Sequence, residues 1–197
     1  MTFTHKIIGL SGKMGSGKNY IAEKIIAPYY ASLSYNILII GFGDQVKQEL
    51  YARSLSLTYD SLYDNKTQET RQQLQQYATE NGRDKYNKNM WIRGLDMQIE
   101  TFKRRSPKNT LIIICDVRFV NEAEYVKSKN GKLVRIEAPL RTQNRYWAEG
   151  GGNLQIHQII SKHASEIELD NYKFDIIINN DNNNLDESFL LKYIDSL

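Results

Sequence analysis

Lys18 closes a stretch, Gly12-Lys13-Met14-Gly15-Ser16-Gly17-Lys18, whose GxxxxGK spacing is that of a phosphate-binding loop. Glycines reach positive φ without steric cost, so several backbone N–H groups can turn toward one anion. The N-terminus of the helix that follows adds the favourable end of its dipole. Lys18 would then reach the β and γ phosphates of a nucleoside triphosphate. Three fixed letters recur by chance in about one chain of this length in twenty. The apolar run before them, Ile7 to Leu10, and the helical pattern after them, Tyr20 to Ile26, make chance a much poorer account. Asn19 stands where this pattern ordinarily ends in a Mg²⁺-ligating Ser or Thr; an amide oxygen can ligate the ion or hold one of its waters.

Other charges fall where such a loop could use them. Asp116 directly follows the apolar run Leu111 to Cys115, where an acid can hold Mg²⁺ or its waters, accept from a substrate, or cap a turn. Arg118 points the same way if the chain stays extended, toward a charged ligand or toward Asp116 itself. Arg141 and Arg145 lie four apart, on one face of a helix, followed by the hinge-like Gly150-Gly151-Gly152. They suggest a lid whose cations close on a transferring phosphoryl group and exclude water. A polar helical stretch places Arg71, Glu80, Arg83, Lys85 and Lys88 among Tyr77, Tyr86 and Trp91, a composition suited to a base on a ring and its phosphate in an arginine fork, or to a solvated face over a core. His157 and His163 have no cysteine nearby and make a poor metal site.

The elements that must position these groups alternate strand and helix. Strands are predicted over residues 6–11, 36–42, 109–115, 132–137 and 174–178. Helices are predicted after the loop as far as Pro28, from Gln45 to Arg53 with Asp44 as N-cap, and over 68–79, 87–104, 122–129 and 185–194. Asn179 to Asn184 reads as a loop. Right-handed crossovers then give a five-stranded parallel sheet between two helical layers, an α/β/α fold, with ligands at the carboxyl ends of the strands. That rule gathers residues 12–18, 43–44, 116–119 and 139–141 along one edge. The core is expected over 1–55 and 105–197, a helical insertion over 56–104 and the lid over 140–165.

Composition sets the outer limits. At 197 residues, 41% hydrophobic and 25% charged, the chain suits one globular domain. It has no bilayer-length apolar run, and its start leads straight into a strand, leaving no room for a signal peptide. A single cysteine, Cys115, forbids an internal disulfide and fits a reducing, cytoplasmic setting. A net charge of +3 is too small to argue for nucleic acid. Apolar side chains around Trp91 suit a homodimer face or core packing equally.

Taken together, the loop with Asn19, the stretch Phe42 to Lys47, the pattern from Arg71 through Glu80 to Arg83, Asp116 to Ala123, and His163 to Glu166 resemble the phage-type deoxynucleoside monophosphate kinases of the P-loop kinase superfamily. The resemblance implies transfer of the γ phosphoryl of ATP, with Mg²⁺, to a nucleoside 5′-monophosphate. Carried onto this chain, Gly12, Lys13, Gly15, Ser16, Gly17, Lys18, Asn19 and Tyr20 would hold ATP, and Asn180 would contact adenine. Asp44, Lys47, Arg71, Glu80, Arg83, Trp91 and Arg118 would line the monophosphate pocket. Lys18, Arg141, Arg145 and Asp116 would act in catalysis, with Asn19 and Asp116 at the metal. Animal-type phosphomevalonate kinase is similar around the loop and also phosphorylates a phosphate. A P-loop ATPase or switch is the reading from another class; the guanine motif Asn-Lys-x-Asp is missing from the sequence.

Overall fold

The apolar runs become β1 (His5–Ser11), β2 (Asn36–Ile40), β3 (Thr110–Val117), β4 (Lys132–Glu137) and β5 (Ile176–Asn179). These bounds come from a computed structural model, which describes residues 3–181 and 185–196. Asn182, Asn183 and Asn184 of the predicted loop lie outside the described residues. The strands form one parallel sheet in the order β2-β3-β1-β4-β5. Central strands of a parallel sheet are covered on both faces, which is why β3 is apolar almost throughout.

One face of the sheet packs Ile8, Leu10, Leu111, Ile113, Val134 and Ile136 against Ile21, Ile25 and Ile26 of the helix after the loop and Leu190 and Ile194 of the C-terminal helix Glu187–Asp195. Each fully buried side chain of this size stabilises by about 1.5–3 kcal/mol. On the opposite face, the space beside Gly9 is taken by Leu133, Val117 and Val126, the last from the helix Val120–Ser128. Three layers result, as the strand-helix alternation predicts. β1 and β3 slip by one residue between Gly9 and Ser11, so Gly9 pairs with Ile114 but Ser11 with Val117. That bulge puts Asp116 inside β3 and not after it.

The first helix runs past its predicted end. Residues 18–32 stay helical, with a π stretch at Ile21–Ile26 in which the Ala27 N–H reaches back to the Ala22 carbonyl. The widened turn accommodates Pro28, which has no N–H to give and would otherwise meet the carbonyl of the preceding turn. The second helix starts earlier than predicted, at Phe42, and Asp44 is its third residue, accepting from the Gly41 N–H at 2.8 Å. It is the acidic half of a capping box, not the N-cap.

The chain divides into two compact units, residues 1–40 with 101–197 and residues 41–100. The helix Phe42–Arg53, assigned from sequence to the core, groups with the insertion. Within that unit follow the helix Tyr59–Tyr63, capped by Thr58, and a helix over 68–84, capped by Thr67 and π-wound from Tyr77 to Asp84. The helix Met90–Arg105 begins there too. Leu62, Trp91, Ile92, Leu95 and Ile99 are buried, so the stripe around Trp91 is internal packing and not a free dimer face. Among the described residues, no helix is long and apolar enough to cross a membrane.

Candidate functional site

The loop between β1 and the first helix has φ +149° at Gly12, +81° at Gly15 and +93° at Gly17, values that side chains rarely tolerate. Close approach adds a second requirement. A Cβ on Gly12 would run into the Ile136 carbonyl, one on Gly15 would stand 2.8 Å from Cβ of Arg145, and one on Gly17 would strike the Asn180 amide. Backbone conformation and neighbours therefore both demand glycine at these places.

Lys18 folds over this loop and is buried, its Nζ donating to the carbonyls of Gly12 at 2.5 Å and Lys13 at 2.9 Å. Burial, followed by the positive charge of Arg118, pulls its amine down to about 7, while Glu166 and Asp116 oppose that fall. Neutral carbonyls solvate the ammonium but give it no counter-charge. An arriving phosphate would supply one, so this position is primed for an anion.

Around the loop, buried groups hold one another. Glu166 accepts from the Met14 N–H at 2.8 Å and from the Tyr146 hydroxyl at 2.6 Å, and it pairs with Arg118. These donors keep its carboxyl below the ordinary range despite burial, and burial together with Glu166 pushes the Tyr146 hydroxyl up. Arg135 donates to Ser11 Oγ at 3.3 Å and to Asp170 at 3.0 Å, and Asp170 also takes Lys13 at 2.9 Å. Asn19 and Tyr20 are exposed at the start of the first helix. Asp116 is half-buried, near enough to Lys18 to favour its charged form.

Arg141 stands on the helix Pro139–Glu149, whose first N–H groups, Leu140 at 3.0 Å and Arg141 at 3.2 Å, donate to Asp181. Its guanidinium nitrogens lie 3.5 and 3.6 Å from where a Gly17 Cβ would be, beside the loop. Arg145 differs: its stem lies against Gly15 while its head pairs with Glu149 at 2.6 Å. Of the two predicted lid cations, Arg141 has its guanidinium beside Gly17 of the loop, donating to the Asn180 carbonyl at 3.3 Å. The Gly150 to Gly152 hinge is also revised. The N–H groups of Gly151 and Gly152 bond the carbonyls of Ala148 and Trp147, with φ +60° and +75°, which is the Schellman arrangement that ends a helix.

Asn180 is buried, its side-chain amide donates to the Ser16 carbonyl at 2.8 Å, and its N–H donates to the Glu137 carbonyl, so it braces the loop.

In the insertion, considered by itself, Asp44 pairs with Lys47 at 2.7 Å, and the Lys47 ammonium lies 4.1 Å from the centre of the Tyr63 ring. Lys66 donates to the Tyr63 carbonyl. Burial, then the charges of Lys47 and Arg71, pull the Lys66 amine down to about 8. Two cations thus meet at Tyr63, with the charge of Arg71 felt at Lys66, and the Tyr63 ring stacks on Tyr59 at 4.5 Å and 13°. Trp91, by contrast, donates from its indole N–H to the Ala78 carbonyl at 2.9 Å and covers Gly82. It is core and not a pocket wall. Glu80 is exposed and accepts from Gln76 at 3.0 Å, and Arg83 is half-buried. Arg118, expected in the acceptor pocket, is committed to Glu166.

Residues 10–132 match the family model described as phosphomevalonate kinase. The chain belongs to the phosphomevalonate kinase family. Its fold is similar to that of TT1252 from Thermus thermophilus, at 16% identity over 98% of this chain and 97% of that one with a TM-score of 0.56. APE1195 gives 13%, 100%, 98% and 0.53 in the same order, and the tunicamycin resistance protein of Deinococcus radiodurans 14%, 98%, 94% and 0.51. No curated protein matches the sequence.

Several residues of this kinase were not legible as site residues. Tyr146, Arg135, Asp170 and Asp181 act through contacts between distant segments, for which sequence carries no local signal. Lys66 and Tyr63 could have been suspected from a lysine and tyrosine flanking a helix cap. Glu122 accepts from the N–H groups of Arg118 and Phe119 at 2.8 and 3.1 Å, so part of the stretch Asp116 to Ala123 serves a helix start. Among the described residues no cluster of three or more His, Cys, Asp or Glu side chains could hold a metal.

Proposed function

We propose that this kinase transfers the γ phosphoryl group of ATP to the phosphate of a nucleoside 5′-monophosphate, with deoxynucleotides as the first candidates. Lys47 and Lys66 at the Tyr59–Tyr63 stack, with the charge of Arg71 acting on Lys66, carry the reading. Cations suit the acceptor's phosphate, and Tyr59, 65% exposed, offers a ring to a base in place of the internal Trp91. The Arg71-to-Arg83 pattern supports the same acceptor.

The chemistry needs charge and position more than a covalent nucleophile. Backbone N–H groups of residues 12–18 would cradle the β and γ phosphates, and Lys18 would exchange loop carbonyls for phosphate oxygens. An oxygen of the acceptor phosphate bonds to the γ phosphorus as the bridging bond to the β phosphate breaks, leaving ADP. Arg141 would meet the charge on the transferred group. Asp116 and the Asn19 amide are oxygen donors of the kind that suits Mg²⁺ held mainly by water and phosphate. That ion would neutralise phosphate charge.

A second reading, phosphomevalonate as acceptor, is favoured by the family match over residues 10–132. ADP release measured against the four deoxynucleoside monophosphates, their ribose counterparts and phosphomevalonate separates the two. Turnover with a nucleotide supports the first reading and names the base. Turnover with phosphomevalonate alone replaces it, and silence throughout overturns both in favour of an ATPase or switch.

A further inference from the structure

Glu166 ends the stretch His163 to Glu166, to which neither the phosphate-binding loop nor the arginine-bearing helix assigns a task. Its side chain is 1% exposed. A carboxylate in such a place stays ionised only if donors replace water. Arg118 occupies Oε1, while the Met14 N–H and the Tyr146 hydroxyl share Oε2. Segments 152, 48 and 20 residues distant therefore meet on one side chain.

Each segment leads to groups that the reaction uses. Met14 lies inside the loop, between Gly12 and Gly15. Arg118 is two residues beyond Asp116. Tyr146 belongs to the helix that bears Arg141, and its neighbour Arg145 rests its stem on Gly15. The short helix Ala164–Ile167 is itself anchored, with His163 Nδ1 accepting from the Ser165 N–H at 3.2 Å and Glu168 accepting from the Val120 N–H at 2.8 Å.

We infer that Glu166 is a positioning residue for phosphoryl transfer, fixing the loop, the end of β3 and the Arg141 helix in one mutual arrangement through Met14, Arg118 and Tyr146. The inference rests on the kinase reading above. A carboxylate is required because two acceptor oxygens serve three donors. An amide would turn its NH₂ toward either Arg118 or the Met14–Tyr146 pair, donor against donor, and would leave a guanidinium without its counter-charge. Misplacement of reacting groups by about 1 Å costs on the order of 10²-fold in rate.

The test compares wild type, Glu166→Gln and Tyr146→Phe, each alone and combined with Arg141→Ala. Rates of transfer from ATP to acceptor, and to water without acceptor, are expressed per nucleotide-binding site so that misfolded protein is not counted. Glu166→Gln should lower the rate on the order of 10²-fold while the KM values move much less. Tyr146→Phe, which deletes one oxygen and keeps the ring, should cost about tenfold. Arg141→Ala should cost much less in the Glu166→Gln background than in wild type, because both act on one arrangement. Rates within twofold of wild type, or strictly additive losses, would overturn the inference while leaving the kinase reading intact. If Glu166→Gln does not fold, Tyr146→Phe decides by itself. A wild type that transfers to neither acceptor nor water overturns the kinase reading and this inference with it.

Discussion

The two compact units hold their charges in opposite ways. Around the loop, Glu166 is buried and answered by three donors and Arg135 by Ser11 and Asp170, while Lys18, held by neutral loop carbonyls, is the one left ready for an anion. In the insertion, the Lys66 amine is pulled down first by burial and then by the charges of Lys47 and Arg71, and the Tyr59 ring lies open. A buried, answered set is a rigid instrument for one fixed group, here a triphosphate. A half-exposed set of like charges, even with Lys47 paired to Asp44, gains further when an anion arrives. On the function proposed above, chemistry belongs to one unit and choice of acceptor to the other.

The largest expected effect tests the rigid half. Lys18→Ala should lower kcat by at least about 10³-fold with the far-ultraviolet spectrum unchanged, since neutral methyl cannot offset phosphate charge. Near-normal turnover in a folded mutant would remove the loop from the mechanism. Next come the two arginines, which the geometry separates: Arg141→Ala should cost on the order of 10³-fold in kcat, whereas Arg145→Ala, whose charge is already spent on Glu149, should cost less than about threefold. Equal losses would return both to the lid role read from sequence.

Smaller effects probe the acceptor half. Lys66→Met keeps the stem and removes the charge, so the acceptor KM should rise about 10- to 100-fold while the ATP KM holds, the scale of a lost charged hydrogen bond. Equal rises in both KM values would show that the cationic cluster does not belong to the acceptor. The smallest effect is one of pH. The Lys66 amine sits near 8, below its ordinary value, so its positive charge is present below that pH and lost as pH rises through it. The acceptor KM should therefore climb a few-fold above pH 8 in wild type and stay flat over the same interval in Lys66→Met.

How much of this was legible in the sequence follows from the range of each signal. The strands and the loop are local: apolar runs, glycine spacing and a following helix suffice, and β4 was read at its observed bounds. Pro28 misled because a π turn, invisible in composition, makes room for it. The triglycine misled because glycine serves a helix end as readily as a hinge, and only φ and hydrogen bonds tell them apart. Trp91 and Asn180 have surface-capable side chains whose burial depends on Gly82 and on the loop above, both set by tertiary approach. Glu166 was noticed only as part of a motif, since its partners lie as far as 152 residues away.

The slip between β1 and β3 has a consequence for anyone recombining this sheet. Below it, Ile7 to Gly9 run in step with Ile112 to Ile114; above it, β3 has gained one residue and Ser11 meets Val117. The strand thus carries two phases, one for the interior and one for the charged end, joined at Cys115 and Asp116. A chimera that borrowed β3 from a homologue without the extra residue would keep the interior in phase. Its acidic end would be rotated to the wrong face, giving a protein that folds and is silent.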